Sequence, residues 1–158
     1  MKKAILCILL LLSLMFTACG NISEKAQPEK ENTQGREPVA KDFSWIITNG
    51  TLTIKGNGAM PDFGYDLENP WESQKESITK VVISEGITHI GNEAFYHCAN
   101  LSQIHIPNSV TSIGASALED CVSLKSITFS GTKAQWESIE KDDYSNHSFT
   151  VICTDGNI

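Results

Sequence analysis

Apolar and polar positions recur along this chain with a period of 23 residues. Ile78, Val81 and Ile83 take the places that Leu101, Ile104 and Ile106 take in the next unit, and Leu124, Ile127 and Phe129 in the one after. Between these runs the match continues: Ile87 with Val110, Ile90 with Ile113, Gly91 with Gly114, Ala94 with Ala117, Phe95 with Leu118 and Cys98 with Cys121. The spacing Leu-x-x-Ile-x-Ile turns alternate side chains of a short strand inward. Gly91 and Gly114 are expected to relax the backbone at a turn. Ala94 with Phe95, and Ala117 with Leu118, supply the apolar stripe of a short helical or irregular return. One such coil exposes its apolar edges, so neighbours must stack, and the strands then form a parallel ladder about 4.8 Å apart.

The flanks carry their own patterns. Asn49-Gly50 stands between two alternating runs, around Trp45 and Ile47 on one side and Leu52 and Ile54 on the other. That is a strong hairpin signal. Its register sets Ile47 opposite Leu52 and Trp45 opposite Ile54, with Ile46 and Thr53 on the other face. Downstream of the repeats, Thr132 followed by Gln135 has the form of a capping box. Ala134, Trp136 and Ile139 then make a short amphipathic helix, and Phe149, Val151 and Ile152 suggest a final edge strand.

The stretch from Ile106-Pro107-Asn108-Ser109-Val110 through Gly114, Ala117-Leu118, Cys121 and Leu124 resembles the BspA-type leucine-rich repeat, with the approximate consensus IPxSVTSIGxxAFxxCxxLxxI. Leu118 departs from the usual Phe, and Ser84-Glu85-Gly86 replaces the Pro-Asn-Ser turn in the preceding unit. Gly56 to Pro61, Asn69-Pro70-Trp71 and the Ser130-to-Trp136 tail resemble the segments that flank such arrays. The resemblance implies a mainly β fold with short helices: a short right-handed leucine-rich-repeat solenoid. It would have an N-terminal hairpin cap over residues 42–77, repeats over 78–131 and a C-terminal helix/strand cap over 132–158.

The beginning of the chain changes the picture of its location. Lys2 and Lys3 precede a nearly unbroken apolar run, closed by Phe16-Thr17-Ala18-Cys19-Gly20. This is the layout of a secretory signal peptide, and the run is too short for a permanent span of about 20 residues. The closing residues resemble the lipobox of bacterial lipoproteins, which implies cleavage after residue 18 and a diacylglycerol on Cys19. An ordinary signal peptide cut near Ala18 is the alternative. Removing residues 1–18 takes away two lysines and no acid, so 140 of the 158 residues remain and the net charge moves from −7 to −9. An acidic chain of this kind argues against a nucleic-acid partner. Residues 19–41 hold hardly an apolar side chain and read as a disordered tether spanning roughly 25 Å.

Candidate chemistry is sparse. Cys98 and Cys121 hold equivalent places in adjacent coils, so either a disulfide or a ladder of buried thiols fits. Cys153 has no repeat partner, and no Cys-x-x-Cys appears. His89, His97, His105 and His147 share no metal-ligand spacing. Asp62, Asp66 and Glu68 lack the patterned spacing of a calcium loop, and Asp142-Asp143 reads as a solvated pair. No metal and no cofactor is implied, and no motif points to an enzyme.

What remains is a surface. Lys80 and Val82, Gln103 and His105, and Ser126 and Thr128 are the outward positions of the three strands, and a parallel ladder displays them as a column. They are either a ligand-binding face or ordinary solvated residues. The resemblance implies a lipid-anchored, surface-exposed binding or adhesion module that recognises a protein or a polymer. A structural or assembly lipoprotein, pairing with envelope proteins of the same cell, is the alternative.

Overall fold

The repeat period becomes a stack of coils in the computed structural model, which describes residues 41–142 and 148–158. The signal-peptide segment, Cys19, nearly all of the expected tether, Asp143 and His147 lie outside the described residues. The elements in chain order are β1 (Lys41–Thr48), β2 (Thr51–Ala59), a 3-10 helix (Glu72–Ser77), β3 (Lys80–Ile83), β4 (Ile87–Ile90), β5 (Gln103–Ile106), β6 (Ser112–Ile113), β7 (Ser126–Phe129), α1 (Lys133–Ser138), β8 (Thr150–Cys153) and β9 (Gly156–Asn157).

The fold is mainly β, with two hydrogen-bonded ladders that share β2. In the first, β2, β3, β5, β7 and β8 run parallel, and β1 and β9 close the two edges antiparallel. The register follows the sequence period: Val81 pairs with Ile104, and Ile104 with Ile127. The hairpin forms in the expected register, with Trp45 opposite Ile54 and Ile47 opposite Leu52. Asn49 and Gly50 both take positive φ, as a tight turn matched to the strand twist requires. The second ladder joins the end of β2 to β4 and β4 to β6, and a bridge from Ser112 to Glu140 extends it.

The third side of each coil is neither helix nor strand. Turns close from Ala94 N–H to Gly91 O, Tyr96 N–H to Glu93 O and Cys98 N–H to Phe95 O. The intervening N–H groups of Glu93, Phe95 and His97 donate to Ala115, Ala117 and Glu119 of the next coil. Alternating turn and cross-coil bonds thus use the backbone donors along this side. The geometry needs left-handed φ at Glu93, His97, Ser116 and Asp120, two positions repeated 23 residues apart.

The glycines serve differently from expectation. Neither Gly91 nor Gly114 has a positive φ. A Cβ on Gly91 would instead lie 1.7 Å from the Pro61 carbonyl oxygen, and one on Gly114 would lie 2.4 Å from Asn92 Oδ1. They are glycines because the backbone of the preceding coil lies against them.

Inside, Val81, Ile83, Ile104, Ile106, Ile127 and Phe129 meet Ile87, Ile90, Val110 and Ile113 of the second ladder, with Phe95, Leu118, Leu101 and Leu124 from the turn side. Burying each large aliphatic contributes about 1.5–3 kcal/mol. Trp71, fully buried, fills the front of this core. Its Nε1–H donates to Ala94 O at 2.9 Å, and its ring meets Phe95, Phe63 and Trp45. At the rear, α1 carries the expected capping box between Thr132 and Gln135 and buries Trp136 against Phe129. The Lys141 ammonium stands 5.2 Å from the Trp136 ring centroid and donates to the Trp136 and Ile139 carbonyls. The strand expected as the last one, β8, is not the edge. β9 folds back on it through reciprocal bonds between Val151 and Ile158.

Candidate ligand-binding face

Alternation along each strand of the first ladder sends one set of side chains to the core and the other to solvent. All six residues expected on the outward face lie there, in two rows. Lys80, Gln103 and Ser126 are cross-strand neighbours, as are Val82, His105 and Thr128. Gln103, Lys80 and Thr128 are exposed, and Val82, His105 and Ser126 are half-buried among their neighbours.

The register extends both rows beyond the three repeat strands. Thr51 lies beside Lys80, and Thr150 beside Ser126. Thr53 adjoins Val82, Ile46 adjoins Thr53, and Ile152 adjoins Thr128. Lys55 is exposed farther along β2. Seven strands at about 4.8 Å give a face about 29 Å wide. Four residues of strand add about 13 Å in the other direction, so the sheet offers roughly 380 Å², about half of one partner's share in a standard interface. The alternation in Thr51-Leu52-Thr53-Ile54 was the sequence signal for this extension. Only the parallel pairing of β2 with β3 places that hairpin in the same plane.

The face has a distinct composition. Thr48, Thr51, Thr53, Ser126, Thr128 and Thr150 bring hydroxyl groups, and Ile46, Val82 and Ile152 give a broken apolar row. Lys55 and Lys80 are the cations of β2 and β3 on it, and neither makes an ion pair among the described residues. His105 Nε2 lies 3.3 Å from Ser130 Oγ, which holds the imidazole along the sheet.

Two other clusters hold groups of the kinds that catalysis uses. His89 Nδ1 lies 2.7 Å from Ser112 Oγ, and its Nε2 lies 3.3 Å from Asp62 Oδ1. The residues follow the order of a Ser-His-Asp triad, but with the two ring nitrogens exchanged, beside a cleft lined by Asn92, Gly114, Glu140 and Asp142. The neighbouring donors are committed, however. Ile113 N–H goes to Glu140 O, Gly114 N–H to Ile90 O and Ala115 N–H to Asn92 Oδ1. A developing oxyanion would find none of these free. The chain Asp62–His89–Ser112 ties the lead-in loop to two successive coils, and Asp62 also accepts the Asn92 N–H at 2.8 Å. His97 Nε2, at 3.3 Å from Asp120 Oδ2, likewise spans two coils.

The cysteines form the second cluster. Cys98, Cys121 and Cys153 are free and buried, so the structure shows thiols and no disulfide between the stacked pair. Cys121 Sγ–H donates to Phe95 O at 3.2 Å. Burial pushes the Cys98 and Cys121 thiols up to about 12, and raises Cys153 as well. Buried thiols of this kind hold little of the thiolate form that nucleophilic attack uses.

Comparison with known proteins agrees with this architecture. The family described as BspA type leucine rich repeat region (6 copies) matches residues 72–157, reaching well into both flanks of the three regular units. A leucine-rich repeat protein from Eubacterium ventriosum has a similar crystal structure, with 35% identity and a TM-score of 0.56, over 65% of this chain and 26% of that one. A leucine rich cell surface protein from Faecalibacterium prausnitzii is 43% identical over 42% of this chain and 18% of its own length, with a TM-score of 0.41. The chain therefore spans about a quarter or less of these two relatives. No curated protein matches it. With more than half of its length covered by the family, and the stacked 23-residue coils in place, the chain belongs to the BspA-type leucine-rich-repeat family.

Proposed function

We propose that this chain is an exported lipoprotein, anchored through Cys19, that presents its seven-stranded face for recognition or adhesion at the cell surface. The observation that carries the reading is the segregation within the first ladder. Inward positions fill one core, while outward ones form a continuous plane with no covering element among the described residues. Leucine-rich repeats generally bind proteins, and a regular array of side chains on a rigid ladder suits that role. The Faecalibacterium relative is itself a cell-surface protein, and a lipid anchor with a tether of roughly 25 Å would hold the domain clear of a membrane. In this reading the array is a right-handed solenoid. The β1–β2 hairpin with Trp71 caps its front, and α1 with β8 and β9 caps its rear. The role is binding, with no catalytic step.

The test is a binding screen of the purified chain against matrix proteins, glycans and envelope extracts, beside a variant carrying Gln103→Glu, His105→Glu and Thr128→Glu. Binding that disappears in the variant supports the face. Binding that persists unchanged moves the site to the ends or the turn side, and a protein that binds nothing is better read as a structural envelope component.

A further inference from the structure

We propose that the partner of this face is an acidic polysaccharide with sparsely spaced carboxylate or sulfate groups; this deepens the reading above and rests on it. The first observation is charge segregation. The chain carries a net charge of −7, yet along β2, β3, β5, β7 and β8 no Asp or Glu occupies an outward position, and Lys55 and Lys80 are the charged residues there. Acids sit instead on the lead-in loop (Asp62, Asp66), in the turn that follows β3 (Glu85), on the turn side (Glu93, Glu119) and at the rear (Glu137, Glu140). Screening over about 8 Å at physiological salt weakens the influence of distant charges on a ligand lying along the ladder.

Geometry sets the charge spacing. Lys55 and Lys80 stand on adjacent strands, and the pairing of Ile54 with Ile83 and of Thr51 with Lys80 puts them four residues apart along the strand direction. With strands about 4.8 Å apart and about 3.3 Å per residue, their Cα atoms are about 14 Å apart. A ligand that meets both ammonium groups carries its anions at long intervals. Duplex nucleic acid, with a charge every ~1.7 Å of axis, would meet two cations on a protein that otherwise repels it.

Chemistry between the lysines narrows the class further. The described outward positions hold no Trp, Tyr, Phe or Arg, the residues that anchor tight protein interfaces. They hold a lattice of hydroxyls, among them Thr51, Thr53, Ser126 and Thr128, with the Gln103 amide between. A hydroxyl both donates and accepts, as does each hydroxyl of a sugar. Many modest contacts then act together along a polymer, and several anchored copies on one surface multiply the avidity.

Retention of the purified full chain on immobilised dextran sulfate and on polygalacturonate, with dextran as the neutral polymer, tests this. Expected are retention on both acidic polymers at low salt, little on dextran, and a loss of about tenfold in affinity for Lys55→Glu with Lys80→Glu. Lys133→Glu, on α1, should bind as the parent does, and circular dichroism should show all variants folded. No retention on either acidic polymer, equal retention on dextran, or equal loss in Lys133→Glu overturns the proposal. Single-stranded DNA held with the same lysine dependence overturns the ligand class. If a protein ligand is found instead, and Gln103→Glu with His105→Glu and Thr128→Glu abolishes it, the face stands and the polysaccharide falls. If the acidic polymers bind regardless of every outward substitution, both fall.

Discussion

Replacing Gly91 by alanine puts a Cβ 1.7 Å from the Pro61 carbonyl oxygen and 2.6 Å from its carbonyl carbon. Both are backbone atoms, so no side chain can swing aside. Restoring ordinary contact at 3.4 Å or more moves the lead-in segment and its coil apart by about 1.7 Å. That movement breaks the bonds from Met60 N–H to His89 O and from Phe63 N–H to Asn92 O, each 3.0 Å long. Losing two backbone bonds whose partners stay largely buried costs about 2–5 kcal/mol. A Gly→Ala change at a relaxed position would instead stabilise by about 0.4–1 kcal/mol through the unfolded chain. The signs differ, which makes the experiment decisive. Urea unfolding followed by circular dichroism should show the midpoint falling by about 1–2.5 M, given an m-value of about 2 kcal/mol/M. Ser116→Gly is the matched contrast, because its φ of 55° is left-handed and glycine removes a cost of about 1 kcal/mol there. An unchanged midpoint for Gly91→Ala, or a greater loss for Ser116→Gly, would refute the claim that close approach of two coils, rather than backbone freedom, demands glycine at this place.

Trp71→Phe keeps most of the ring packing but strands the Ala94 carbonyl, and should cost about 1–3 kcal/mol by the same unfolding assay. Thr132→Ala removes the side-chain half of the capping box on α1 and should cost about 1 kcal/mol; no measurable loss would mean that the helix is held by Trp136 alone. Cys98 and Cys121 stay protonated in the folded chain up to about pH 12, whereas an unfolded thiol titrates near 8.5. Between those values the unfolded chain releases protons that the folded chain keeps. Stability therefore falls as pH rises, by up to about 1.4 kcal/mol per pH unit for each thiol. Cys98→Ala should make that fall shallower, and an identical slope in the variant would show that the thiol is not desolvated. Cys19→Ala should shift the protein from the membrane to the soluble fraction, and full retention would sink the proposed lipid anchor.

The sequence by itself determined the coil. Its 23-residue period, the inward alternation in each strand, the hairpin register around Asn49-Gly50 and the Thr132 capping box all follow from interactions within a few residues or from a repeat that any alignment of the chain with itself displays. The six outward residues were legible for the same reason, since side-chain direction along a strand has a period of two. What the tertiary structure decided is how coils and flanks meet. It made Gly91 and Gly114 close-approach positions, put the left-handed turns at Glu93, His97, Ser116 and Asp120, and placed β2 and β8 in the plane of the repeat strands. It also joined His89 to Asp62 and Ser112 across coils, a contact between residues 27 and 23 positions apart with no local signature. A chain pattern records which side chains leave water; it does not record which backbone will lie against which, because that distance is fixed only when separate segments stack and their donors find partners in one another.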